Sequence, residues 1–534
     1  MNEIGKIETV FLLLLLFIIV FGIVARKLGT PYPIVMVIGG LLLGFVPGMP
    51  DIALNPDLVF LVVLPPLLYA AAWGTSWRDF HYNLVSIFLL AFGLVGFTVI
   101  AVALIAPSVI AGFDWRLGFV LGAVVAPTDA IAATSIARRV GLPRRIVDIL
   151  EGESLINDAS GLLALQFATA IVVHEQIPTV STGILTFAWL VIGGIALGLL
   201  VGFVAYYIER RVDDGPIEIT LSILIPYAAY LAAEEIRASG VLAVVTCGLF
   251  LSRRSASFFS PTVRLQAWSV WESLNYVLNG LVFVLIGLQL PAVRASIRGY
   301  SLSTLVMDGA IFSVLLILLR VVWVFPGAGV AWLVRTRLLH QHERLPNRRQ
   351  IFVLGWTGMR GVVSLAAALA LPAVLADGSP FPQRDLIVFL TFCVICVTLV
   401  LQGLTLPPLI RALGLAGTAG PNCEELEARR IVITAAVSHL NDAKEKDTKE
   451  AAALYEDLTQ HYNQRLESLQ VGDVNPGQLA GHDRHLELSL EALRVERETA
   501  VGLRDEGRIN DDVLRRIERE LDLSESRITT VRES

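Results

Sequence analysis

Thirteen mainly apolar stretches follow one another along the first 415 residues. They cover approximately 9–25, 32–47, 57–74, 83–108, 115–137, 149–173, 182–208, 217–234, 240–252, 268–290, 303–334, 350–374 and 385–412. A helix crosses the hydrocarbon core of a bilayer with roughly 17–25 such residues. The runs are continuous rather than alternating, so they predict an all-α polytopic membrane protein of about 13 helices. The first run does not read as a cleaved signal. Arg26 and Lys27 follow it rather than precede it, and no clear cleavage site comes after. The pattern then changes. Residues 424–470 and 482–530 read as polar helices with modest apolar stripes such as Leu486, Leu490, Leu493 and Leu503. Val471 to Gly477 reads as a breaker between them, and Asn510-Asp511-Asp512 as an N-cap. The expected division is a transmembrane domain, 1–415, and a soluble helical tail, 416–534.

Charge sharpens this division. The chain of 534 residues is 55% hydrophobic and 17% charged, against about 25% charged for a soluble domain. Residues 421–534 hold 41 of the 90 charged residues, with a net charge of −9. The remaining 420 hold 49, net +3. The acidic tail disfavours nucleic acid as a partner. The tail has no phosphate-binding glycine loop either, so no nucleotide cofactor is expected. Cys393-x-x-Cys396 lies in an apolar run and reads as small buried side chains rather than a redox motif.

Loop arginines and lysines set the orientation. With the N-terminus outside, 18 fall on the inner side and six on the outer, which places the tail in the cytoplasm. The 240–252 stretch is short. Omitting it would carry the Arg335–Arg349 cluster outside, so it is retained. Thirteen spans then form two six-helix units, near 1–174 and 217–415, of opposite topology, with the seventh span as a linker. The fifth helix of each unit is interrupted, at Ala126-Pro127-Thr128-Asp129 and at Gly355 to Gly361. Broken helices at matching positions of an inverted repeat are a pointer to a transporter's substrate site.

Ionisable groups at mid-depth carry the chemistry, because charge there is costly. They are Asp129, Glu153, Asp158 and Arg360, with Arg320 in the eleventh span. Ser154 and Asp158 share one helix face at i, i+4, and Glu153 and Asn157 share the next. Pro127 frees backbone carbonyls beside Asp129. Such an all-oxygen set suits a hard cation such as Na⁺. Glu153 is expected to pair with Arg360. Asp129 and Asp158 then need protons or cations as partners, which describes an exchanger. Asn157 adds no titratable charge, so one H⁺ for one monovalent cation is the expected ratio. Glu151 reads as a solvated mouth residue. Arg320 is open between a snorkelling side chain and a structural or gating group.

Gly152-Glu-Ser-Leu-Ile-Asn-Asp158, with Ala126-Pro-Thr-Asp129 before it and Gly358-Met-Arg-Gly-Val-Val-Ser-Leu365 after it, resembles the cation:proton antiporter-1 family of Na⁺/H⁺ exchangers. Leu64-Pro-Pro-Leu-Leu-Tyr69 is similar to a further signature of that family. The resemblance covers about residues 7–415. It implies that Asp158 binds the ion and the proton. Asp129, Ser154, Glu153 and the Thr128 carbonyl would lie at or beside the Na⁺, Asn157 would orient Glu153, and Arg360 would pair with Glu153. It also implies an electroneutral exchanger, a homodimer, and residence in the cell (inner) membrane. Na⁺, K⁺ and Li⁺ are all admitted as cargo. A channel or uniporter on the same site is the alternative. A membrane enzyme lacks a nucleophile–base set, since no His lies near Ser154.

Overall fold

The computed structural model describes residues 3–47, 54–174, 180–297, 300–341, 346–375, 377–417, 423–446, 452–468 and 476–506, and in the last segment 508, 513–514, 517–518 and 520–526. Its contacts divide the chain into two units, Met1–Ala419 and Gly420–Ser534. Among the described residues there is no β-sheet, only an isolated bridge between Val374 and Pro380.

The first unit is helical throughout. In chain order the helices are α1 (Glu3–Leu28), α2 (Tyr32–Gly44), α3 (Pro56–Gly74), α4 (Trp77–Val109), α5 (Trp115–Val125), α6 (Ala130–Val140) and α7 (Arg144–His174). Then come α8 (Val180–Glu209), α9 (Gly215–Glu235), α10 (Gly240–Ser252), α11 (Pro261–Leu288), α12 (Leu302–Arg337), α13 (Arg348–Trp356), α14 (Val362–Leu369) and α15 (Arg384–Ala412). A short helix, Leu290–Ser296, follows α11. Among the described residues nine helices are long and apolar enough to cross a membrane, and the α5/α6 pair, bent by 43° at its break, makes a tenth. The short apolar helices α2 and α10 and the broken α13/α14 pair coincide with the other predicted runs.

Local sequence explains where these helices start and bend. Asp114, Asp214, Ser239, Ser260 and Asn347 each accept a backbone N–H as N-caps of α5, α9, α10, α11 and α13. Among the described residues three spans contain a π-helical turn: Val59–Val63, Leu89–Leu94 and Thr398–Gln402. In the first, Pro65 and Pro66 offer no N–H, so carbonyls one turn earlier lose their helical partners. The Tyr227 hydroxyl donates to one of them, Val62 O, at 2.9 Å. In the second, Ser160 donates to Ala91 O at 2.5 Å, which ties α4 to α7. The core is close-packed through small residues. A Cβ on Gly287 would stand 2.3 Å from Val37 O, so α2 and α11 touch backbone to backbone only because glycine is there.

In the second unit, α16 (Cys423–Lys446), α17 (Ala452–Ser468) and α18 (Pro476–Asp505) are helical. The sequence predicts one helix over 424–470, but the chain turns back instead. Lys444 Nζ and Glu456 Oε1 are 2.7 Å apart, whereas a straight helix would set those residues about 18 Å apart. Arg497 pairs with Asp522 at 2.5 Å and Glu525 at 2.8 Å. The breaker predicted at Val471 to Gly477 falls largely, and the N-cap at Asn510 to Asp512 wholly, outside the described residues.

Candidate cation and proton site

The site is built where two broken helices cross. α5 ends at Val125 and α6 begins at Ala130. α13 ends at Trp356 and α14 begins at Val362. The two breaks are joined directly: Asp129 N donates to Met359 O at 2.7 Å. A Cβ on Gly361 would lie 2.1 Å from Asp129 Oδ2, so the second break comes this close only as glycine.

Broken helices leave partial charges at their ends, negative at C-termini and positive at N-termini. Two side chains answer them. Arg360, 2% exposed, donates from Nε to Val125 O at 3.1 Å and from Nη1 to Gly358 O. Its own N–H is held by Thr398 Oγ1 at 3.1 Å. Asp129 caps α6, its Oδ1 accepting from Ile131 N at 2.8 Å. Ser154 Oγ accepts from the neighbouring Ala130 N at 3.3 Å.

The expected pairing of Glu153 with Arg360 is not what the structure shows. Glu153, 1% exposed, holds Arg320 in a two-point ion pair: Nη1 to Oε1 at 2.5 Å and Nη2 to Oε2 at 2.8 Å. Arg320 is therefore a paired core group and not a snorkelling one. Arg360 is committed to helix carbonyls because its break places it against the end of α5. Asn157 does not touch Glu153 directly. Its amide donates to Thr128 Oγ1 at 2.7 Å and Thr128 O at 3.1 Å, and the Thr128 hydroxyl donates on to Glu153 Oε1 at 2.9 Å. Both Glu153 oxygens are thus occupied, and the side chain does not line the cavity described next.

A cavity of about 280 Å³ enters along α7 and is lined by Glu151, Ser154, Leu155 and Asp158 on one helical face, with Thr128 and Asp129 opposite. The same cavity meets α3, Asn279 and Phe283 of α11, and Gly361 to Ser364. Its mouth carries the Arg138–Glu151 ion pair, 2.5 Å long, with Arg138 largely exposed. At its inner end are Asp158, 7% exposed, and the half-buried Asp129 and Ser154. A second cavity of about 250 Å³ approaches the other half of α7 at Ala159, Leu162, Leu163 and Gln166, beside Glu234 and Arg237. Asp158 therefore lies where the stretch of α7 lining the first cavity meets the stretch lining the second.

The sodium/hydrogen exchanger transmembrane family matches residues 12–412. The chain belongs to the sodium/hydrogen exchanger family. An uncharacterized Na⁺/H⁺ exchanger of Mycobacterium tuberculosis is 34% identical over 98% of this chain and 97% of its own length. The sodium, potassium, lithium and rubidium/H⁺ antiporter of Bacillus subtilis is 31% identical over 94% of this chain and 75% of its own length. The sodium proton antiporter MjNhaP1 from Methanocaldococcus jannaschii shares the fold, with a TM-score of 0.58 at 18% identity over 76% of this chain and 99% of that one. This exchanger is a multi-pass membrane transporter, not an enzyme, and its class of activity is exchange of a cation for protons.

Proposed function

We propose that the exchanger moves one monovalent cation, Na⁺ first, against one H⁺, the two competing for Asp158. Charge carries the reading. The site holds three carboxylates (Asp129, Glu153 and Asp158) and two guanidiniums (Arg320 and Arg360). Glu153 is neutralised by Arg320, while Arg360 at the carbonyl end of α5 and Asp129 at the amide end of α6 offset each other across the break. One negative charge is left over, at the Asp129–Asp158 end that faces the cavity. Either one Na⁺ or one H⁺ cancels it, and a buried site tolerates only the cancelled forms. Both loaded forms carry the same charge, so a full cycle moves none.

In this reading Asp158, Asp129 and Ser154 hold the ion, with the Thr128 carbonyl beside it. Glu153, Asn157, Arg320 and Arg360 support them. Asn157 and Thr128 fix Glu153, and through it α7 is fixed to α12. The two recesses along α7 support alternating access, the cavity with Arg138 at its mouth being the open, cytoplasmic one. We read residues 1–415 as the antiporter domain of about 13 spans in two inverted repeats near 1–174 and 217–415. It lies in the cell membrane as a homodimer, with residues 416–534 in the cytoplasm. The Bacillus relative's name includes K⁺ and Li⁺, so those ions are candidate cargo too.

The test is ΔpH dequenching in everted vesicles with Na⁺, Li⁺ and K⁺ in turn, and current recording on proteoliposomes. We expect Na⁺-dependent dequenching, none for Asp158→Asn, and no current. Retained exchange in Asp158→Asn, or a current with the unmodified protein, contradicts the reading.

A further inference from the structure

Among the described residues three buried carboxylates lie outside the site just described, Asp308 and a pair at the α8–α9 junction. Glu209 closes α8, and Glu218 sits in the first turn of α9. The short connection 210–214 brings the two ends together. They are 1% and 2% exposed, and Oε2 of each meets no hydrogen-bond partner. Glu209 lies in the electrostatic field of Glu218.

A third group points to the same place. Tyr69 of α3 is 1% exposed, its hydroxyl has no partner, and its ionisable neighbours are Cys247 and Glu209. Its neighbours Leu68 and Ala70 line the Asp158 cavity while Tyr69 does not, so it faces away from that cavity. Trp271 covers the cluster from α11, its ring 5.3 Å from that of Tyr69 and its N–H donating to Ser222 at 3.0 Å.

The remaining charged groups nearby do not neutralise the pair. The Asp214 backbone N–H donates to the Glu218 carboxylate, but the charges of Asp213 and Asp214 add to the negative field around it. Arg210 lies against the Tyr206 ring at 5.7 Å, and Arg254 against Phe250 at 4.0 Å. Among the described residues no ion pair joins a cation to Glu209 or Glu218. Two carboxylates with buried, unpartnered oxygens do not persist side by side without a positive charge between them. Carboxylate and phenol oxygens are the ligands a hard cation takes.

We propose that Glu209, Glu218 and the Tyr69 hydroxyl form a second cation-binding site, apart from Asp158, that takes one positive charge: a proton or an alkali-metal ion. Occupied, it ties the end of α8 to the start of α9. Empty, the two carboxylates repel and the junction loosens, so the site couples the α8–α9 junction to the pH and salt around it.

The test uses the full chain in detergent, with Asp129→Asn and Asp158→Asn silencing the transport site. Thermal unfolding is followed from mildly acidic to alkaline pH, with and without Na⁺, K⁺ or Li⁺. The Tm of this background is expected to fall as pH rises. Adding Glu209→Gln and Glu218→Gln should flatten that fall, raising the alkaline Tm by about 2–4 °C. An alkali ion that lifts the alkaline Tm of the background, but not of the Gln form, identifies a metal ion as occupant. A response to pH alone identifies the proton. Tyr69→Phe should weaken the response without removing it. If the double Gln form does not fold, Glu218→Gln alone carries the same comparison. Identical pH and salt dependence with and without the Gln substitutions overturns the proposal.

Discussion

Breaking the Glu153–Arg320 pair is expected to be the most damaging conservative change in the core. Both side chains are almost wholly buried, at 2% and 1% exposure, and two N–H groups contact two oxygens. Charges about 4 Å apart at an effective dielectric near 20 attract by ~4 kcal/mol. Removing one partner from a buried pair typically costs about 3–5 kcal/mol, because the other is left as an uncompensated charge. Arg320→Met should therefore lose stability on that scale. Removing both charges, Arg320→Met with Glu153→Leu, should restore most of it, since well-packed apolar replacements of such pairs are often neutral. Equilibrium unfolding of the two single variants and the double variant in mixed micelles gives the coupling energy, expected to exceed about 2 kcal/mol. The same cycle run on Glu153 and Arg360 should give much less, because Arg360 bonds to Val125 O and Gly358 O instead. A strong Glu153–Arg360 coupling, with Glu153 and Arg320 additive within about 0.5 kcal/mol, would refute the pairing.

Gly361→Ala should nearly abolish exchange while leaving the protein in the membrane, since its Cβ would stand 2.1 Å from Asp129 Oδ2; vesicle dequenching beside an immunoblot checks this, and wild-type rates would contradict it. Asn157→Asp adds one charge to a site whose loaded forms are otherwise neutral, so transport should become voltage-sensitive, read as a current on proteoliposomes under a Na⁺ gradient. Ser154→Ala loses one bond to the α6 N-terminus and one oxygen facing the cavity; apparent Na⁺ affinity should fall severalfold with maximal rate nearly kept, measured as a KM-against-Vmax split.

Much of this architecture was legible in the chain because apolar runs announce membrane helices directly. The breaks were legible too. Pro127 and the Gly355–Gly358–Gly361 series cannot continue a helix comfortably, and both breaks are found. The α7 face carrying Ser154 and Asp158 followed from helical spacing alone. The ion-pair partners did not. Glu153 and Arg320 are 167 residues apart and Arg360 and Val125 are 235 apart, and no local period reports such contacts. Charge balance held a clue: three mid-depth acids need more than one arginine, and Arg320 was the other arginine at that depth. Glu209 and Glu218 stand at the ends of their apolar runs, and nothing in the local sequence reports that Tyr69, some 140 residues away, lies beside Glu209. No glycine or proline lies between Lys444 and Glu456 to announce that those two side chains meet.

The pH dependence of the apparent Na⁺ affinity tests the central claim most directly. Direct competition for one carboxylate requires that KM for Na⁺ rise as pH falls, approaching about tenfold per pH unit on the acid side, while the rate at saturating Na⁺ stays constant. Dequenching measured over a matrix of Na⁺ concentrations and pH values should show that pattern and should vanish in Asp158→Asn. A KM that ignores pH while the maximal rate falls with acidification would contradict a shared site for the cation and the proton.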